Sequence, residues 1–233
     1  MTKIINTPIK LSSKFLLLIV MLYVTFSLAA DVVAFRFTNL FGLVESGATI
    51  LFPLTYVLGD VTAEIYGWNI GMKMVWGGLF CEGIFAILIL VVINMPFFHG
   101  IGEYQAEYKD ILGGLWLFVV AGIISNAIAG LLNVFFISKF KVLWSGRAFW
   151  VRSILSTCIS EFILIFITVM IAFVPAIHFK ATMHVFMDAY FLEIIYSIIF
   201  AIPAQYLVRL LTRVEHIDVY DYNVNYNPFK ILD

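Results

Sequence analysis

Charge is scarce in this sequence: Asp, Glu, Lys and Arg together make up 12% of its 233 residues, against about 25% in an ordinary soluble domain. The net charge of −1 leaves no basic surface for a phosphate backbone, so no nucleic-acid partner is expected. Cysteine is nearly absent. Cys81 and Cys158 lie far apart in apolar stretches, which excludes a disulfide framework and metal-ligand spacing and leaves them as small buried hydrophobes. By the hydropathy map, His99, His178, His184 and His216 fall in loops or the tail. His-Glu-x-x-His, Gly-x-Ser-x-Gly and a phosphate-cradling Gly-rich loop are all missing, so neither a hydrolase nor a nucleotide-driven mechanism has its parts. Only Asp60 lies deep in an apolar run, so the aspartate pair of an intramembrane protease is missing too. The expectation is a protein that is not an enzyme, with no cofactor and no metal.

What is present is apolar surface. Hydrophobic residues make up 63% of the chain and the mean hydropathy is +1.02. A single globule of this size has too little interior to hide that much, so the lipid bilayer is its expected partner. Six runs reach the roughly 20 apolar residues needed to cross about 30 Å of hydrocarbon. They cover about Phe15 to Phe35, Gly47 to Tyr66, Gly71 to Met95, Ile111 to Ile137, Val151 to Val174 and Met187 to Leu211. None alternates like a barrel strand. The first follows lysines like a signal peptide but is too long for one, and it reads as an uncleaved first helix. The fold class is an all-α integral membrane protein with six transmembrane helices. Residues 1–212 form the transmembrane domain, and 213–233 a polar cytoplasmic tail that packs on the membrane surface or is disordered.

Cations set the orientation. With the N-terminus in the cytoplasm, eleven of the 14 Lys and Arg residues fall on that side, and Arg36, Lys109 and Lys180 on the other. An odd number of spans would move Arg209 and Arg213 across, so both termini are expected in the cytoplasm, the protein being multi-pass in the cell inner membrane. Polar segments separate the spans at Pro96–Asp110 and Lys139–Gly146. The first carries Glu103, Glu107 and Asp110 beside His99, either as a cation-attracting mouth or as a solvated loop.

The informative residues are charges where lipid should be: Asp31, Asp60, Glu64, Glu82, Glu161 and Glu193. Each costs about 2.5–3.5 kcal/mol at mid-bilayer, so together they face the bundle interior, as a functional lining or as a polar clamp between helices. The second span is densest. Tyr56, Asp60 and Glu64 stand four residues apart and stack on one helix face. Pro53 and Gly59 allow that helix to bend. An aromatic ring with two carboxylates can read a flat heterocycle that donates N–H groups, or relay protons. In the fifth span Arg152 and Ser156 share a face, with Thr157, Ser160 and Glu161 beside them; Arg152 also fits a simple anchor at the helix end. In the fourth, Asn126 and Asn133 share a face and suit interhelical hydrogen bonds.

The stretch Phe52-Pro-Leu-Thr-Tyr-Val-Leu-Gly-Asp-Val-Thr-Ala-Glu-Ile-Tyr-Gly67, with Arg152 before Ser156-Thr157 and Pro203 before Tyr206, resembles the vitamin uptake transporter family, whose members are mostly queuosine precursor transporters. The resemblance covers nearly the whole chain. It implies a six-helix fold similar to energy-coupling-factor substrate-binding subunits, and import of a 7-deazaguanine base such as preQ0, preQ1 or queuine. One carboxylate can accept the adjacent N–H and NH2 donors of a guanine-like edge. Asp60 or Glu64 suits that role, with Tyr56 or Tyr66 stacking on the ring, and a cationic aminomethyl group favours an acidic pocket. The implied substrate-binding set is Tyr56, Asp60, Glu64, Tyr66, Asn133, Arg152, Ser156, Thr157, Glu161 and Glu193. The chain departs from the family pattern at Glu193, where many members carry Lys, at Asn133 and Leu164, where they carry Asp, and at Asp31, where Asn is usual.

Two other readings stand beside a stand-alone importer. One is a substrate-capture subunit joined to an energising module, for which Ala30 and Ala34 offer a small-residue helix face; a homo-oligomer is also open. The other is a membrane assembly protein whose acids are structural.

Overall fold

In the computed structural model, six helices are long and apolar enough to cross a membrane. Residues 13–34, 36–40, 42–96, 102–113, 115–172 and 178–229 are described. The α-helices are α1 (Leu16–Val33), α2 (Phe52–Tyr66), α3 (Trp68–Ile93), α4 (Gly102–Gly113), α5 (Leu115–Leu143), α6 (Phe149–Ala172) and α7 (Phe179–Glu215). Leu17, Met21, Ile87, Leu88, Ile199 and Ile202 all stand more than half exposed, which fits an outer surface solvated by lipid. The chain is an all-α multi-pass membrane protein.

Helix α2 sits at the centre. It packs on α1, α3, α5, α6 and α7, and twelve of its fifteen residues are buried, so its polar residues meet protein on every side. Pro53 occupies its first turn, where no intrahelical N–H is needed. It stops at Gly67, whose φ of +84° favours glycine. Helix α7 runs for 37 residues, about 55 Å at 1.5 Å per residue, and so outreaches a hydrocarbon layer of about 30 Å. The backbone N–H of Phe15, just before α1, donates to Glu215 at the end of α7 at 2.8 Å. The entry to α1 and the exit of α7 therefore lie at one end of the bundle, as an even number of spans requires.

Several segments differ from the sequence expectation. Between α1 and α2 lies a hairpin, β1 (Phe37–Leu40) paired antiparallel with β2 (Leu43–Ser46). Leu40 pairs with Leu43, leaving a two-residue turn in which Gly42 takes φ +90°, as tight hairpins demand. Part of the expected Pro96–Asp110 loop is helix α4; Glu107 is exposed on it, and His99 lies outside the described residues. The Lys139–Gly146 segment is helical as far as Leu143, because Lys141 is buried and not solvated. His184 lies within α7, not in a loop. Ala30 and Ala34 pack inside the monomer with Ala48 against Leu51 and Phe52, so this pair offers no face to a partner helix.

The tail also departs from a surface-lying or disordered segment. Residues 216–229 fold over the end of the bundle. Helix ends leave backbone groups without partners, and this strap supplies some. Val219 N–H donates to the Ile65 carbonyl at 3.1 Å. Asp221 accepts from Trp68 N–H at 2.9 Å, and Trp76 donates its indole N–H to the Pro228 carbonyl at 2.9 Å. Lys141 donates to Asp218 at 2.5 Å and to the Val219 carbonyl at 2.7 Å, and also to the Glu64 carbonyl. Those acceptors explain how an ammonium can be buried there.

Candidate functional site

Phe52, Tyr56, Asp60 and Glu64 recur every four residues along α2 and form one inward line about 18 Å long at 1.5 Å per residue. Phe52 lies on the wall of a cavity of about 70 Å³ beneath the hairpin. Glu64 lies on the wall of a vestibule of about 450 Å³ at the strap end. The two spaces are thus joined by one face of one helix.

The cavity is walled by α1, the hairpin, α5, α6 and α7. Ala34, Phe37, Phe52, Leu164, Ile165, Val169 and Ala189 make most of the wall apolar, and Asp31 and Glu193 bring carboxylates to it. One water needs ~10–15 Å³, so the space exceeds a single hydration site. Asp31 Oδ2 and Glu193 Oε2 are buried and have no hydrogen-bond partner among the described residues. Behind the wall, Glu161 feels the charges of Glu193 and Asp60. Its Oε2 accepts from Ser197 at 3.1 Å, while its Oε1, the Tyr56 hydroxyl and Ser160 Oγ have no partner among the described residues. Glu82 faces Asp31 from α3, with Ser27 and Asn126 close to it. Buried polar atoms are rarely left in this state, and here several of them gather at or behind one cavity wall.

Farther along α2 the carboxylates are occupied. Asp60 accepts from Asn133 of α5 and from Ser153 of α6, with Thr157 at 3.4 Å. Glu64 pairs with Arg152 through two bonds of 2.7 Å, and Arg152 also donates to the Arg147 carbonyl at 2.9 Å. Both side chains of the pair are nearly inaccessible, so Arg152 closes the interior and is more than an anchor at the helix end. The vestibule beyond carries Arg147, Arg209 and Arg213.

The residues expected to bind substrate thus divide. Tyr56, Glu161 and Glu193 gather near the cavity. Asp60, Asn133 and Thr157 form a layer between α2, α5 and α6, and Glu64 and Arg152 form the next. Ser156 Oγ donates to the Ser153 carbonyl of its own helix at 3.0 Å. Tyr66 is not brought to this line: its hydroxyl donates to Glu215 at 2.6 Å. Tyr206, which carries part of the family resemblance, is 66% exposed on the outer face of α7. Leu164, set apart only as a departure from a family pattern, lines the cavity, as does Asp31, one of the intramembrane acids outside the expected binding set. Glu45 and Asp188 escaped notice. Both are buried, and Asp188 accepts from Val44 N–H at 3.1 Å, fastening the hairpin to α7. A signal was available for Asp188, an acid at the start of the sixth apolar run, and none for Glu45, which precedes the second.

Residues 46–208 match the model of the family described as "Putative vitamin uptake transporter". The chain belongs to this family. No curated protein and no solved structure matches the chain. Family and architecture together make this member a vitamin-type uptake transporter and not an enzyme. In transporters, polar residues inside the bundle commonly mark the path of a substrate or ion.

Proposed function

We propose that this transporter imports a queuosine precursor, a 7-deazaguanine base, as a stand-alone secondary importer in the inner membrane. The observation that carries the reading is the cavity beneath the hairpin, where apolar walls meet carboxylates with unpartnered oxygens. Such a wall can lie along the face of a flat bicyclic base and accept its N–H donors. The α2 signature from Phe52 to Gly67 supplies the link to queuosine precursors. Glu64–Arg152 then closes the path on the vestibule side, and its release is one half of alternating access. The excess of cations at the vestibule end supports cytoplasmic termini. The six-helix plan also supports kinship with energy-coupling-factor substrate-binding subunits.

The test is uptake in a bacterium that can neither make the precursor nor import it. Expression of this chain is expected to restore queuosine in tRNA at nanomolar external precursor. Failure by a folded, inserted protein overturns the substrate. Concentrative uptake by the purified chain in liposomes supports stand-alone action. Co-purification of a stoichiometric energising module with ATPase subunits, with no uptake by the lone chain, overturns it.

A further inference from the structure

The uptake cavity has a one-sided charge pattern. Asp31 and Glu193 lie on its wall, 8% and 2% exposed, and no Lys, Arg or His among the described residues joins them there. The acids behind them repeat the sign: Glu82 lies near Asp31, and Glu161 near Glu193. The charged clusters of the vestibule side are different. There Glu64 has Arg152 and Asp218 has Lys141. Resting on the uptake reading, we propose that this cavity selects a cargo carrying a positively charged nitrogen on a flat ring system, over neutral analogues of the same shape.

Three observations combine. Acids this well buried gain from a nearby positive charge, because solvent screens little there; a cationic nitrogen brings the charge that the wall lacks. An ammonium has three donors. Asp31 Oδ2 and Glu193 Oε2 are acceptors without partners, and Glu161 Oε1 and the Tyr56 hydroxyl are further ones behind them. The remaining wall, with Phe37, Phe52, Leu164 and Ile165, suits the faces of a ring. A neutral analogue fills the same apolar space and leaves the acids as they were.

The experiment is equilibrium binding to the full chain in lipid nanodiscs, using two matched pairs: the aminomethyl and cyano derivatives of 7-deazaguanine, and pyridoxamine and pyridoxine. The amine-bearing member of at least one pair is expected to bind about tenfold or more tightly, the scale of a charge-assisted hydrogen bond. Glu193→Gln and Asp31→Asn are expected to draw that ratio toward one, and Glu193→Asp to keep it, with thermal melting used to confirm a folded protein. Equal or tighter binding of the neutral members overturns the proposal, as does a ratio untouched by both neutralising substitutions. If pyridoxamine outbinds pyridoxine while neither deazaguanine binds, charge selection stands and the queuosine reading falls. If both deazaguanines bind equally and pyridoxamine does not outbind pyridoxine, the reverse holds. Failure of all four to bind folded protein overturns both.

Discussion

The guanidinium of Arg152 on α6 donates from both terminal nitrogens to the two carboxylate oxygens of Glu64 on α2, each at 2.7 Å. The fork geometry satisfies the carboxylate from two directions at once. Because both groups are buried, removing either partner strands the other. Arg152→Ala is therefore expected to lower stability by about 3–5 kcal/mol. Replacing both members, as in Glu64→Gln with Arg152→Gln, is expected to cost less than the sum of the single changes. Thermal melts of detergent-solubilised variants, arranged as a double-mutant cycle, check this. Additive losses would show that the two groups do not act as a pair.

Asp60 makes the next layer, where its carboxylate bridges α5 and α6. Ser153→Ala leaves Oδ2 with only the long contact to Thr157 at 3.4 Å. A buried acceptor deprived of a partner costs about 1–3 kcal/mol, and that loss is the expected result in the same melting assay. Affinity for cargo is expected to change little, because Ser153 lies on the wall of neither the cavity nor the vestibule. A large loss of affinity at unchanged stability would place cargo at Asp60 instead.

The α2 line was legible in the sequence because a four-residue repeat of polar groups in an apolar run has one geometric solution. Its partners were not. Ser153 and Glu64 lie 93 and 88 residues from the groups they meet, and local pattern carries no such information. Lys141 reads as a solvated loop residue because hydropathy counts a cation as polar whatever its acceptors. Its acceptors come from α2 and the strap. The hairpin hid for another reason: strands of four residues fall below the length at which alternation stands out. The six spans were plain because lipid imposes length and composition directly.

The strap should respond to pH through Asp221. Burial raises its carboxyl above the ordinary 3.8, against the pull of the Trp68 N–H and Lys141. A group whose value is raised on docking favours the docked state when protonated, at pH below its ordinary value. That contribution is lost as pH rises through the raised value. Hydrogen exchange across residues 216–229 is expected to quicken over this interval, beyond the intrinsic rise of exchange with pH. In Asp221→Asn that extra slope should vanish. An identical slope in the variant would assign the response to another group.

Gly67 turns the chain from α2 into α3 directly beneath this strap. A Cβ at Gly67 would stand 2.8 Å from Val219 Cγ1 and 3.0 Å from Asp221 Oδ1, and its φ of +84° is strained for other residues. Gly67→Ala is expected to destabilise the protein by about 1 kcal/mol or more and to speed exchange in the strap more than in α6. Uniform speeding of exchange throughout the bundle would separate the corner from the strap.

Cargo and structure can be told apart by filling the cavity. Ala189 lies on its wall from α7 and is 9% exposed. Ala189→Leu adds three carbons toward empty space, where the usual overpacking cost of about 1–3 kcal/mol in a filled core is relieved. The melting temperature is expected to hold or rise while uptake falls by about tenfold or more, since a ligand and a side chain cannot share the volume. The other chemistry of the path is left in place, because the Asp60 layer and the Glu64–Arg152 pair lie two to three turns beyond Phe52 along α2. Uptake that survives a stable Ala189→Leu would move the cargo out of the cavity and toward that polar line, and the occupied carboxylates would then have to exchange partners to receive it.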